Sequence, residues 1–423
     1  MFAVRSSRPA TLYRLRAQLG GGLLVAALLP YLTRLVTLPS YAFLPQLNIT
    51  FAGTVVAIVL GTWLFRSLTT YPGVEATAYI LPAFSVAFGA LLLFFILSRA
   101  EYNRYLLLTS YVLSLLWFVS VIVLVQRRQR FRIGVLPIGR DVVLPQASNV
   151  DWVLIDERQL DIVGLDALTV DLRTDLPDAW ERRLADYALA GMPVYHSKHL
   201  IESLTGRVQL EHLSETSFGS LSPMSAWMHA KHFVDWVMAL LVGIVALPFL
   251  LLIAGAVRLS SPGPSLFRQV RIGYQGRPFT IYKFRTMRVA DPNAPDARAT
   301  AITQAKDTRI TPLGRFLRTS RIDELPQLIN VLRGEMSWIG PRPEAEVLSR
   351  WYEAEIPFYR YRHIVRPGIA GWAQVCQGHV AEVSEVRDKL FYDFYYIKNY
   401  SAWMDLLILV RTIRTMLTGF GSR

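Results

Sequence analysis

The stretch FVDWVMALLVGIVALPFLLLIAGAV, residues 233–257, decides how the second half of this 423-residue chain is built. Its only charge is Asp235, and 25 residues are enough to cross a hydrocarbon core about 30 Å thick. Pro248 stands near the middle. Proline removes a backbone donor and crowds the preceding turn, so a sharp bend is expected at Leu247 and Pro248. Lys231 precedes the stretch, while Arg258, Arg268, Arg271, Arg277, Lys283, Arg285 and Arg288 follow it. The positive-inside rule keeps both flanks in the cytoplasm, which predicts a re-entrant helix over 233–257. A kinked spanning helix is the alternative, and it would export the most basic part of the chain.

Working outward toward the N-terminus, four more apolar runs cover about 20–38, 51–63, 79–97 and 105–126, the second being the shortest. At 52% hydrophobic residues the composition exceeds that of an ordinary soluble domain. Arg5, Arg8, Arg14 and Arg16 lie before the first run and QRRQRFR follows the fourth, so four crossings return the chain to the cytoplasm. No small-residue cleavage site follows the basic tail, which reads as an uncleaved first helix. The single cysteine, Cys376, excludes an intrachain disulfide and has no zinc-ligand spacing around it. The expected division is a basic tail at 1–19, four transmembrane helices over 20–126, an α/β domain at 127–222 and a second soluble domain with its membrane helix at 223–423.

Within 127–222 the short apolar runs IGVLPIG, VDWVLID and ALTVDL alternate with the helix-like AWERRLADYALAGMP, which predicts a small parallel sheet. GVLPIGR lacks the third glycine and the acidic partner of a dinucleotide fingerprint, so a structural or dimerising module is expected there. After the membrane stretch, SLFRQVRIG and FTIYKFRTM read as a hairpin between the turn signals SSPGPS and GYQGRPF. Lys283 and Arg285 then share one strand face, suited to substrate or lipid headgroups. VADPNAPDARATAITQAKD is poor in large apolar residues and reads as a surface loop. In TPLGRFLRTSRI, Arg315 and Arg318 stand at helical spacing with Arg321 beyond, a ladder that can hold phosphate or face solvent.

The segment SRIDELPQLINVLRGEMSWIGPRPE, residues 320–344, sets Asp323 and Glu324 at or just before a short helix that Gly334 ends. Carboxylates there can simply cap free amides and complement the helix dipole. Their company argues for more: arginines upstream, a GPRP loop with Arg342 downstream, and a membrane helix earlier in the same domain. Paired carboxylates among arginines suit chemistry on a magnesium-bound diphosphate, where one group attacks or ligates and cations offset the developing charge.

KFRTM at 283–287, LGRFLRTSRIDELPQLINVLRGEMSWIGPRPE at 313–344, VRPGIAGWAQV at 365–375 and YDFYYIKNYS at 392–401 together resemble the bacterial sugar transferases. The resemblance covers about 227–423, and the upstream regions look like the large-form architecture of that family. It implies a four-helix transmembrane region, a Rossmann-like α/β domain, and a mixed α/β catalytic domain anchored by a re-entrant helix and amphipathic helices. It also implies a reaction at the bacterial inner membrane, on its cytoplasmic face. A UDP-hexose gives its sugar 1-phosphate to undecaprenyl phosphate and releases UMP, with Mg2+ as cofactor. By motif, Asp323 is the expected nucleophile and Glu324 an expected magnesium ligand with it. Arg318, Arg342 and Arg366 are expected phosphate contacts, Asp393 a further acidic site, and Lys283 and Arg285 binding candidates.

Several positions carry plainer readings. Arg366 precedes a Pro-Gly turn it could cap, and Asp393 could serve a buried tyrosine hydroxyl. Leu247 stands where relatives often have serine before the proline, and Cys376 where they often have a polar residue. The C-terminal SAWMDLLILVRTIRTMLTGFGSR places Trp403, Leu406, Leu407, Val410 and Ile413 on one helical side, suited to the headgroup region or to a soluble core. Glucose and galactose are the leading sugars, a homodimer is a candidate assembly, and nucleic acid is not an expected partner of the +13 charge, because the basic residues lie beside membrane segments. A non-catalytic scaffold of polysaccharide assembly and a lipid-diphosphate phosphatase stay open as other classes.

Overall fold

The computed structural model describes residues 15–37, 40–68, 76–128, 130–138, 144–145, 150–155, 164–209, 226–288, 309–377 and 383–418. Arg5, Arg8, Arg14 and the expected loop over 289–307 lie outside them. The chain divides into two units, Met1–Gly206 and Arg207–Arg423. Val208 already belongs to the second, since its N–H donates to the Phe391 carbonyl at 2.9 Å.

Four helices open the first unit: α1 (Leu15–Val36), α2 (Tyr41–Ser67), α3 (Tyr79–Ser98) and α4 (Arg104–Leu124), each long and apolar enough to cross a membrane. The second runs well beyond the apolar core seen at 51–63. Polar residues at its start are satisfied within the helix, Thr50 Oγ1 donating to the Gln46 carbonyl at 2.7 Å, so hydropathy alone shortens it. Aromatic rings fill the bundle, with Phe84 and Phe118 4.6 Å apart between centroids. Close packing is local as well: a Cβ on Gly61 would meet the Phe84 ring at 2.8 Å.

The rest of this unit is a parallel four-stranded sheet of β1 (Phe131–Val135), β2 (Val150–Leu154), β3 (Ala167–Val170) and β4 (Val194–His196) in the order β2-β1-β3-β4. Helices α5 (Asp178–Leu189) and α6 (Ser197–Thr205) flank it. Two apolar clusters cover its faces, one around Leu168, Val170, Trp180 and Tyr187, the other around Ile133, Ala167 and Leu200. Gly134 is a packing glycine. A Cβ there would sit 2.5–2.9 Å from Leu165, Ile155 and Leu168, so this half of the GVLPIG signal serves the core.

The second unit begins with α7 (Ala226–Ser260), 35 residues with Pro248 inside. The helix is continuous through Leu247 and Pro248, with no interruption in its secondary structure. Phe233, Trp236, Leu241, Ile244, Val245, Phe249, Leu251 and Leu252 stand exposed along it, an apolar surface that protein does not cover and lipid would. The hairpin β5 (Leu266–Ile272) and β6 (Pro278–Phe284) follows, antiparallel, pairing Leu266 with Phe284. Helix α8 (Pro312–Thr319) leads to a 3-10 segment over Ile322–Gln327 and the short α9 (Leu328–Leu332). Then come β7 (Ser337–Ile339), α10 (Glu346–Glu355), β8 (Gly368–Ala370) parallel to β7, α11 (Trp372–Cys376), α12 (Val383–Lys398) and α13 (Ala402–Thr418).

The C-terminal helix buries one face and exposes the other. Met404, Leu407 and Ile408 are buried while Leu409 and Ile413 are exposed, so the residues read as one side are split, Leu407 in the core and Ile413 outward. Asp405 lies on the buried face, where its carboxylate accepts a hydrogen bond from the Tyr396 hydroxyl at 2.8 Å.

Candidate active site

Asp323 and Glu324 sit in the 3-10 turn that precedes α9, and both are buried. Arg321 enters the turn at φ 55°, a left-handed conformation that non-glycine residues adopt only when their surroundings hold them there. Lys283 of β6 donates to Glu324 Oε1 at 3.1 Å, and Arg342, beyond β7, donates to the same oxygen at 2.8 Å. Arg321 faces Oε2 at 3.8 Å. Three cations from separate elements therefore converge on Glu324, while the described residues give the Asp323 carboxylate no hydrogen-bonding partner.

That asymmetry separates the two acids. Burial works against the Glu324 charge, but Arg342 and Lys283 overcome it and hold the carboxyl well below the usual range. Burial, and after it the Glu324 charge, push Asp323 from 3.8 up to about 6, against the pull of Lys283, Arg342 and Arg318. Burial also brings Lys283 down to about 8 despite Glu324. One carboxylate is a fixed anion and its neighbour is an open, more basic one, an arrangement suited to nucleophilic attack or proton transfer.

The basic face expected of the KFR strand splits in two. Lys283 points at Glu324, whereas Arg285 donates to the carbonyls of Pro262 at 2.7 Å and Ser261 at 2.6 Å, closing the C-terminal end of α7. Buried Asn330 fixes the Lys283 strand: its amide donates to the Thr280 carbonyl at 2.7 Å, and its oxygen accepts from Tyr282 N–H at 3.2 Å. Three glycines bring the GPRP and VRPG loops backbone to backbone. A Cβ on Gly340 would lie 2.3 Å from the Arg366 carbonyl oxygen, one on Gly368 2.0 Å from Gly340 N, and one on Gly371 2.4 Å from the Gly340 oxygen.

The PRPE backbone is then clamped at three successive carbonyls. Arg342 O accepts from Arg362 at 2.8 Å, Pro343 O from Arg271, and Glu344 O from Ile272 N–H at 3.2 Å. Asp393, 1% exposed, uses its carboxylate on Arg362 through Nε at 3.1 Å and Nη2 at 2.8 Å, and among the described residues no tyrosine hydroxyl bonds to it. Lys389 pairs with Glu344 beside them. Arg362, Arg271, Lys389 and Glu344 were invisible as a group in the sequence, because they stand up to 118 positions apart and meet only where the chain folds back on one loop.

Among the described residues no hydrogen bond or ion pair joins Arg366 to Asp323 or Glu324. The Arg366 guanidinium is 5.4 Å from the Tyr274 ring centroid, and a Cβ on Gly334, just past the helical segment that starts at Ile322, would lie 4.0 Å from it. Burial lowers its proton affinity. Arg318, half-buried on α8, acts on Asp323 by charge. Cys376 sits 3.7 Å from an Arg411 guanidinium nitrogen that also covers the Trp372 ring.

Among the described residues no three His, Cys, Asp or Glu side chains form a metal cage. Mg2+ seldom needs one, being held by one or two carboxylates together with substrate phosphates and waters. The open Asp323 oxygens and Glu324 Oε2 fit that mode of binding.

The model of the family described as bacterial sugar transferase matches residues 226–419. A UDP-N-acetylgalactosamine-undecaprenyl-phosphate N-acetylgalactosaminephosphotransferase of Aeromonas hydrophila is 44% identical over 378 residues, covering 88% of each chain. A UDP-glucose:undecaprenyl-phosphate glucose-1-phosphate transferase of Caulobacter vibrioides is 46% identical over 190 residues, 44% of this chain and 70% of its own. The exopolysaccharide production protein PSS of Rhizobium leguminosarum is 41% identical over 180 residues, 41% of this chain and 88% of its own. The chain belongs to the bacterial sugar transferase family.

Proposed function

We propose that this protein transfers a hexose 1-phosphate from a UDP-sugar to undecaprenyl phosphate, releasing UMP and starting a polysaccharide on its lipid carrier. The observation that carries the reading is the unequal pair, Glu324 locked by Lys283 and Arg342 while Asp323 stays open with a carboxyl near 6. At pH 7 a group of that pKa is about nine-tenths ionised, and it is a stronger nucleophile than an ordinary aspartate.

Asp323 attacks the phosphorus that bears the sugar, the bond to the UMP oxygen breaks, and a phosphosugar ester forms on the aspartate. An undecaprenyl phosphate oxygen then attacks the same phosphorus and releases Asp323. Arg342 and Lys283 hold positive charge beside the phosphoryl oxygens, and Arg318 reaches the same field. Asp323 and Glu324 would hold Mg2+, which supplies charge neutralisation on the diphosphate. Asp393 acts at one remove, fixing Arg362 on the Arg342 carbonyl.

The exposed apolar flank of α7 and the basic residues after it support a re-entrant helix that presents this site to the cytoplasmic face of the inner membrane. The four N-terminal helices support four crossings, and the parallel sheet supports a Rossmann-like module, suited to a homodimer contact. The sugar is read from relatives that use N-acetylgalactosamine and glucose, so both UDP-sugars, with UDP-galactose, belong in the assay. Purified protein with Mg2+, undecaprenyl phosphate and each UDP-sugar is expected to release UMP, and Asp323→Asn to release none. UDP in place of UMP would mean glycosyl transfer and overturn the reading.

A further inference from the structure

A second buried charge cluster lies at the base of α7, away from the carboxylate pair. Lys231, 3% exposed, stands between Asp235 at 3.4 Å and Asp405 at 3.0 Å. Asp235 Oδ2 accepts from the Ser337 hydroxyl at 2.5 Å, and the Asp235 carbonyl accepts from Trp338 Nε1 at 3.1 Å. Tyr396 links Asp405 Oδ1 at 2.8 Å to the Ile339 carbonyl at 3.1 Å. All three residues of β7 are thus tied to one lysine and its two acids, and the next residues are Gly340, Pro341 and Arg342.

Stability alone does not account for such a cluster. Buried ion pairs lose so much solvation that apolar residues of similar size often serve as well or better, whereas removing one partner is strongly destabilising. What the charges supply here is geometry: directional bonds fix β7 against one turn of the membrane helix and against α13. Arg342 reaches Glu324 from the loop that β7 leads into, and a misplacement on the order of 1 Å in a reacting constellation lowers rate about a hundredfold.

We infer that Lys231 is a positioning residue for the transfer reaction: through Asp235 and Ser337 it sets β7, and with it Arg342, at the register the Asp323–Glu324 site requires. The inference rests on the proposed phosphosugar transfer for its kinetic readout, so a second readout is independent of catalysis.

The test compares the full chain in nanodiscs as wild type, Lys231→Met, Lys231→Arg and Lys231→Met/Asp405→Asn. Thermal stability, UMP release and amide hydrogen exchange over 337–344 are measured on each. Lys231→Met leaves two acids without their cation and is expected to lose stability. The double variant removes one of those acids and is expected to regain stability. Its kcat should nevertheless stay about a hundredfold low and exchange over 337–344 should stay fast, with exchange in the β1–β4 sheet unchanged. Lys231→Arg is expected to recover most of the rate. A double variant with wild-type kcat and wild-type protection over 337–344 would overturn the inference and leave only charge balance. If wild type released no UMP, the proposed reaction would fall, while protection over 337–344 in the double variant would still decide the role of Lys231.

Discussion

At the scale of single residues, the two adjacent acids differ because their neighbours differ. Glu324 has cations from β6 and from the loop after β7, and Asp323 has none in hydrogen-bonding reach among the described residues. Ionised Asp323 is the reactive form, so kcat/KM should rise with pH through about 6 and level off above it, as a pH profile on saturating lipid will show. The sign for stability is opposite. A carboxyl raised from 3.8 to about 6 makes the folded state bind the proton more tightly, so this group's contribution falls as pH rises between those values. Asp323→Asn should therefore raise Tm by a few degrees at pH 7 while lowering kcat at least about a thousandfold. Calorimetry and UMP release on one preparation test both halves.

At the scale of elements, the site depends on close backbone approaches and on one buried pair. Gly368→Ala places a methyl 2.0 Å from Gly340 N, which only movement of the loops can relieve. It is expected to cost at least about 1–3 kcal/mol and to lower kcat with it, both readable from denaturant unfolding and rate measurements. Arg362→Met removes the donor to the Arg342 carbonyl and leaves Asp393 buried without its cation, a loss of about 3–5 kcal/mol. Pairing it with Asp393→Leu should restore Tm but not activity, because the Arg342 carbonyl is still released. The order of hairpin, basic helix, DE turn and GPRP loop was legible in the sequence, since turn residues and apolar periods are local signals. The splitting of Lys283 from Arg285 was not: both share a strand face, and only the end of α7 decides that Arg285 closes its carbonyls.

At the scale of the whole molecule, the second unit has its own core and its own membrane helix. The family model matches 226–419, inside this unit, and the Rhizobium relative, similar over only 41% of this chain, is matched over 88% of its own length. A fragment of residues 207–423 is therefore expected to insert into membranes and to keep transfer within about tenfold of the full chain, measured as UMP release per mole of protein. Loss of all activity in a folded fragment would assign the first unit a part in the chemistry.

Residue order by itself determined which segments are apolar enough for lipid, where a parallel α/β module begins, and which two acids stand among arginines, because hydropathy, period and motif spacing are properties of neighbouring residues. Tertiary structure alone decided which acid is neutralised, that Asp393 serves Arg362, that Arg366 lies over the Tyr274 ring, and that Lys231, Asp235 and Asp405 meet at β7. Those outcomes turn on burial and on distances between residues up to 174 positions apart, and Coulomb interaction in a dry interior depends on that separation in space, not along the chain.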